Sequence, residues 1–277
     1  MLICDTFVSQ ISNNTRQYYA YVRPKKSYGQ NFLIDESVSN KIVQSFLTHK
    51  IGNNVLEVGP GKGALTKYLL EEDGLHFKAV EADWDMIHYL QDRYAMDQEH
   101  LIQKDFLTLP LEQVFDKEQF NVIGNFPYNI SSQILFRIEK YRDCVPVVVG
   151  MFQKEVAERI AAPSGNKTYG VISVLIQAFY EAKVLFKVNP GSFFPSPKVT
   201  SAIVLLKRKE NFELLCDHKL FRSLVKTSFN QRRKMLRNTI KSFIKKDSLM
   251  NHKFMTQRPE QLSVEEFCYL TNLIQDQ

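Results

Sequence analysis

Asn125, Phe126, Pro127 and Tyr128 follow directly on the apolar run 120–124. An amide oxygen, a backbone turned by proline and an aromatic ring thus arrive at one point, a set suited to gripping a planar base that carries an amino group. Such an amine is a poor nucleophile on adenine, because its lone pair is delocalised into the ring. If the Asn125 side-chain oxygen accepts one N–H, and a backbone carbonyl at Phe126 or Pro127 accepts the other, the nitrogen is drawn toward tetrahedral geometry. Its lone pair is then free to attack. No strong general base is required, since the nitrogen becomes acidic only after alkylation, and catalysis rests on positioning and electrostatics. Tyr128 would stack on one face of the base, and Phe193, in the segment SFFPSPKV (192–199), would close the other. The plainer reading of Asn-x-Pro-Tyr is a turn, and that of Phe193 a core position.

Upstream lies the run EVGPGKG (57–63), with Glu57 ahead of Gly59, Gly61 and Gly63. Glycines after a strand let the backbone approach a ligand and tighten into the next helix. Glu81 and Asp105 close two later candidate strands, where one carboxylate would accept from ribose hydroxyls and the other from an adenine amine. The pattern Gly59-x-Gly61-x-x-Ala64 with an acid about 20 residues on also fits a dinucleotide site. By itself the turn leaves three readings open: a nicotinamide cofactor, S-adenosylmethionine, or a tight structural turn.

These residues need a scaffold, and hydrophobic periodicity supplies one. Strands are expected over 54–58, 77–81, 101–104, 120–124, 145–151, 183–188 and 202–207. Helical patterns cover 36–49, 64–72, 84–94, 131–141 and 169–180. Alternation of this kind makes an α/β protein with right-handed crossovers and a mainly parallel sheet. The strand pattern stops after Arg208, and the last helix is announced by the capping box Ser263/Glu266. The expected organisation is a tail over 1–22, a catalytic domain over 23–208 and a helical domain over 209–277. In a chain of 277 residues, 44% of them hydrophobic, there is ample material for such a core.

Composition narrows the function. No apolar run reaches the length of a membrane span, and no secretion signal opens the chain, so a cytoplasmic protein is expected. Cys4, Cys144, Cys216 and Cys268 lack metal-ligand or disulfide spacing, which predicts reduced thiols and no metal. Charge is unevenly spread. Over 207–253, fourteen Lys and Arg face four acids, a net of +10 that leaves −4 for the rest of a chain of net +6. A basic block beside an acidic body is the footprint of a polyanion-binding surface, or else a solvated helical face.

Six segments in order give the chain a specific resemblance: KKSYGQNFLID (25–35), LEVGPGKGALT (56–66), GNFPYNISSQILF (124–136), YGVISVLIQ (169–177), FFPSPKVTSAIV (193–204) and FNQRRKMLRN (229–238). It resembles the rRNA adenine N6,N6-dimethyltransferases, and among them the KsgA-type enzymes of the small ribosomal subunit. The resemblance implies a Rossmann-like class I sheet dependent on S-adenosylmethionine, with a small C-terminal all-helical domain. It implies S-adenosylhomocysteine as product, and dimethylation of two adjacent adenosines in the 3′-terminal hairpin of 16S rRNA by a monomer that also serves subunit biogenesis. By position it makes Gln30, Asn31, Leu33, Glu57, Gly59, Gly61, Gly63, Glu81, Asp105 and Asn125 cofactor contacts. Asn125, Phe126, Pro127, Tyr128 and Phe193 become the catalytic slot. Phe126 stands where many members have Leu, which preserves the backbone carbonyl. Lys25, Lys26, Arg232, Arg233, Lys234 and Arg237 are the candidate RNA phosphate contacts.

Three alternatives follow from the same residues. The macrolide-resistance dimethyltransferase of the large subunit shares the fold and an Asn-x-Pro-Tyr motif, but FNQRRKMLRN and Pro-x-Pro-Lys-Val speak against it. An assembly factor that has lost methylation is opposed by the intact Glu81, Asp105 and Asn125. A nicotinamide dehydrogenase would leave the base-gripping corner unexplained.

Overall fold

The computed structural model describes residues 24–25, 28–210 and 213–277. The tail over 1–22, Cys4 and Lys26 lie outside the described residues. A two-residue strand β1 (Phe32–Leu33) leads into α1 (Glu36–His49), whose N-cap Asp35 accepts from the amides of Ser37 and Val38. Alternation then runs through β2 (Asn54–Val58), α2 (Thr66–Leu70), β3 (His76–Glu81), α3 (Trp84–Tyr94), β4 (Leu101–Gln103), β5 (Asn121–Asn125), α4 (Ser131–Lys140) and β6 (Val147–Gln153). After α5 (Lys154–Ile160) and α6 (Val171–Gln177) come β7 (Tyr180–Val188), β8 (Phe193–Phe194) and β9 (Ser201–Arg208).

The main sheet has seven strands in the order β4-β3-β2-β5-β6-β9-β7. β4, β3, β2, β5 and β6 run parallel, while β9 is antiparallel to both its neighbours. The chain builds outward from β2 to β4, then returns to start β5 on the other side of β2. That reversal parts the loops at the carboxyl ends of β2 and β5, where open α/β sheets hold ligands.

Both faces of the sheet are covered, so its central strands are apolar on alternate sides. Leu56, Val148 and Val204 point into one cluster with α4 residues Ile134 and Ile138. Val55, Val149 and Ile203 point into the other with Ile42, Phe46 and Leu90. The first cluster extends without a break into the C-terminal region, through Phe221 and Leu224 of α7 (His218–Asn230) and Phe267 and Leu270 of α9 (Val264–Gln275). A polar clasp ties the same seam. The buried Glu139 of α4 takes His218 Nε2 at 2.8 Å on one oxygen and Arg222 on the other. Among the described residues of 209–277, the elements are α7, a four-residue helix α8 (Leu236–Thr239), α9 and short 3-10 turns. The expected capping box is present: the Ser263 hydroxyl accepts from Glu266 N, and Glu266 Oε2 from Ser263 N.

Two expected helices are shorter than their sequence pattern. The glycine turn consumes residues up to Leu65, so α2 begins only at Thr66, and Tyr180 leaves the helical register to open β7 with its hydroxyl on Val145 O at 2.8 Å. Under the tetrapeptide the packing is unusually specific. Gly124 and Gly150 face each other across β5 and β6, and the Phe126 ring fills the room their missing side chains leave, edge-on to Phe152 at 5.2 Å between centroids. A Cβ on Gly124 would stand 2.7 Å from that ring, and one on Gly150 would run into it. Gly150→Ala is therefore expected to cost about 1–3 kcal/mol in urea denaturation. Adding Phe126→Leu should recover part of that loss, a coupling that independent sites would not show.

Candidate active site

The carboxyl ends of β2, β3 and β5 enclose a cavity of about 310 Å³ lined by the glycine turn, Glu81, Asp105 and the tetrapeptide. Its size falls in the range of about 300–1,000 Å³ usual for small-molecule sites. Gly59, at φ +69°, has its amide on Val80 O at 2.9 Å, and a Cβ there would meet nothing within 4 Å. The backbone is thus bare toward open space, as close ligand approach requires. Gly61 also lines the cavity, with the Phe32 ring 3.3 Å from where its Cβ would be. Gly63 does not line it. Its missing side chain makes room for Tyr94, whose ring a Cβ would strike, so the expectation of a ligand contact at Gly63 is corrected to one of packing.

Two buried acids behave differently. Glu57 is enclosed beneath the turn, accepting from the Thr66 hydroxyl at 2.7 Å, so it pins the start of α2. Burial drives its pKa up to about 8, against the Thr66 hydrogen bond and with some help from the Glu81 charge. Glu81 is also raised by burial, but three amides counter it: Ala82 N at 2.8 Å and Asp83 N at 2.9 Å on Oε1, and Gly61 N at 3.2 Å on Oε2. Oε1 is saturated by these bonds, which leaves Oε2 as the acceptor with capacity for a sugar hydroxyl. Asp105 is exposed at the cavity edge, one oxygen on Leu107 N at 2.8 Å.

The segment before β1 closes over the cavity. Asn31 O accepts from Asn125 Nδ2 at 3.0 Å. A carbonyl can take only the amino end of that amide, so Asn125 Oδ1 is the end left for a ligand. Gln30 lines the cavity and also anchors the segment. Both ends of its amide are taken within the chain, Oε1 by Lys25 N and Nε2 by Asp83 Oδ2, each at 2.8 Å. Lys25 is turned toward the same anchor. Its ammonium lies 2.6 Å from Asp83 and 2.7 Å from Asp85, and hydrogen bonds to the two carboxylates hold its pKa well above the ordinary lysine value. Two carboxylates at that distance offset the charge that a phosphate contact would use. Leu33 lines the cavity and is buried, paired with Phe193.

The expectation that Phe193 closes the slot is corrected too. Strand alternation turns it into the core, 3% exposed and away from the cavity, and turns Phe194 outward at 62%. Tyr128 does line the cavity, and its hydroxyl bonds Ser201 at the start of β9. Burial raises its pKa against that bond, so the phenol stays neutral. Two features were not legible in the motifs. Lys62 lines the cavity with its ammonium 5.2 Å from the Phe32 ring centre, and burial lowers its pKa. Asp83, the buried N-cap of α3, gathers Lys25 and Gln30; its place before a helical pattern was the available signal.

Among the basic candidates, Arg233 and Lys234 lie exposed in the turn after α7, and Arg237 lies exposed on α8. Arg232 leans back instead, 3.9 Å from Glu260 and 3.4 Å from Asn166 O.

A doubly wound sheet with an antiparallel final pair, open at the β2/β5 reversal, defines a class I S-adenosylmethionine-dependent methyltransferase. The comparisons narrow this further. The chain belongs to the family described as ribosomal RNA adenine dimethylase, whose model matches residues 22–276. It is 49% identical over 256 residues to a ribosomal RNA small subunit methyltransferase A of Bacteroides thetaiotaomicron, covering 92% of this chain and 95% of the relative. A namesake from Flavobacterium johnsoniae is 48% identical, at 92% and 97% coverage. Among solved structures it is similar to a dimethyladenosine transferase from Plasmodium falciparum, with TM-score 0.73, 26% identity, and 88% and 98% coverage. It shares its fold with the 23S rRNA methyltransferase ErmE, with TM-score 0.61, 22% identity, and 87% and 100% coverage.

The donor set suits an adenosine cofactor: open space over Gly59, spare acceptor capacity on Glu81, an exposed Asp105, and apolar walls at Phe106 and Ile134.

The Glu57 shift carries a pH signature. Folding raises its pKa from 4.5 to about 8, so the folded protein holds a proton that the unfolded chain releases. That contribution is complete below pH 4.5 and is lost as pH rises to about 8. In donor-free protein, Glu57→Gln should gain Tm on the wild type across this window and hold a constant lead above it, as scanning calorimetry would show.

Proposed function

We propose that this chain transfers methyl groups from S-adenosylmethionine to the N6 atoms of two adjacent adenosines in the 3′-terminal hairpin of small-subunit rRNA, two to each, during subunit biogenesis. The observation that carries this reading is the Asn31–Asn125 hydrogen bond, which leaves the Oδ1 end of the Asn125 amide for a ligand in the cavity that Phe126 and Pro127 also line. The names of relatives near half identity support the small subunit over the large.

The donor brings an electrophilic methyl group on a sulfonium sulfur. The slot does the rest by position. Asn125 Oδ1 and a carbonyl of Phe126 or Pro127 accept the two amine protons, Tyr128 stacks on the ring, and Glu81 and Asp105 fix the donor's adenosine. The alkylated nitrogen gives its proton to water. Residues 209–277 act as a helical RNA-binding domain, with Arg233, Lys234 and Arg237 as phosphate contacts. The protein works as a monomer in the cytoplasm, on RNA already part of a subunit.

Asn125→Ala should reduce transfer from tritiated donor to unmodified small subunits by about 100-fold or more. Full transfer would overturn the catalytic assignment. Charge reversal of Arg233, Lys234 and Arg237 together to Glu should abolish subunit co-sedimentation and leave donor affinity, read by calorimetry, intact.

A further inference from the structure

The segment that follows β8 is tied at both ends to residues that line the cavity. At one end, Phe194 pairs directly with Phe32, and Phe32 lines the cavity one residue after Asn31, whose carbonyl holds Asn125. At the other end, Ser201 bonds the Tyr128 hydroxyl. The loop 195–200 therefore runs from the Asn125 side of the tetrapeptide to its Tyr128 side. Directly opposed residues of an antiparallel pair point to the same face, their Cβ atoms about 5 Å apart, so Phe194 leaves the ribbon on the same side as the cavity-lining Phe32. It is the most exposed phenylalanine among the described residues, at 62%, and no other aromatic ring covers it there. Ile34 and Val199 are exposed on the same two segments. Lys198, also exposed, has no carboxylate partner among the described residues.

We propose that Phe194 and Lys198 form a second nucleotide subsite, in which the Phe194 ring stacks on the base next to the target adenine and Lys198 meets that nucleotide's phosphate. The proposal rests on the reading of the slot given above. Drawing one adenine out of its stack strips the neighbouring base of a partner on one face, and an aromatic ring at the rim restores it. An exposed ring and an exposed ammonium on one short segment match a nucleotide better than a protein surface, because a nucleotide brings both a flat π-face and an anion.

The test uses full-length protein and synthetic RNA hairpins that carry the two adjacent adenosines, with either one replaced by an abasic residue. For the wild type, loss of the neighbouring base should weaken binding about tenfold. Phe194→Ala should bind both hairpins equally, and Phe194→Trp should restore the preference. Lys198→Glu should weaken both hairpins alike. If Phe194→Ala still prefers the intact neighbour by the same factor, the subsite is refuted. If Phe194→Ala weakens small-subunit binding but not hairpin binding, the ring serves a protein contact and the proposal also falls. Loss of the target base separates this from the slot itself. If it costs the wild type nothing, the slot reading fails first; if it matters while the neighbour does not, only the subsite fails.

Discussion

A single hydrogen bond across 94 residues of sequence, from the Asn125 amide to the Asn31 carbonyl, sets the chemistry of the slot. Without it, the Asn125 amide could present either end, and an amino group facing a substrate amine would repel it. With it, the oxygen is the only end free, and the slot selects an N–H donor. The bond in turn needs Asn31 to be held still. Lys25, Gln30 and Asp83 do that by a network that turns three polar side chains inward on the chain. Lys25 and Gln30 thereby fix the residue that orients Asn125.

The same economy explains how a pocket can rely on position rather than on a strong base. Phe126 lies buried between two glycines, so the backbone carbonyl it carries is locked from below. Tyr128 is locked from the side by Ser201. A tetrapeptide held at both ends loses little freedom when a base arrives, and the interaction energy goes into orientation.

Most of the scaffold was legible in sequence because its strands are buried on both faces. Long runs such as VVVGMF (147–152) have no other stable home, and all seven sheet strands fall within three residues of where periodicity places them. The antiparallel pairing of β9 was not legible, since a strand's direction depends on contacts far away in the chain. Site residues divide in the same way. Gly59, Glu81, Asp105 and Asn125 sit at strand ends, where the sheet itself dictates their meeting. Lys25 and Phe193 lie on segments whose orientation is set by tertiary contacts, and there residue type alone is a poor guide. A lysine beside another lysine looks like an RNA contact until two carboxylates are found against it. A phenylalanine doublet hides which ring points inward, because one step of register exchanges them.

That last ambiguity has a structural cause worth following. β8 has only two residues, and its register is fixed by a partner, β1, that is equally short. Such a ribbon has little pairing energy of its own. What holds it is the inward pair Leu33 and Phe193, packed in the apolar cluster beneath the sheet, together with Ser192 bonding Asp35 at 3.0 Å. Burial of one ring of the doublet thus compels exposure of the other, at the one place on the rim between Asn125 and Tyr128. An exposed phenylalanine there forgoes about 1.5–3 kcal/mol of burial that an inward position would give. Among the described residues nothing covers most of that ring, and a base stacked on it would supply the missing burial.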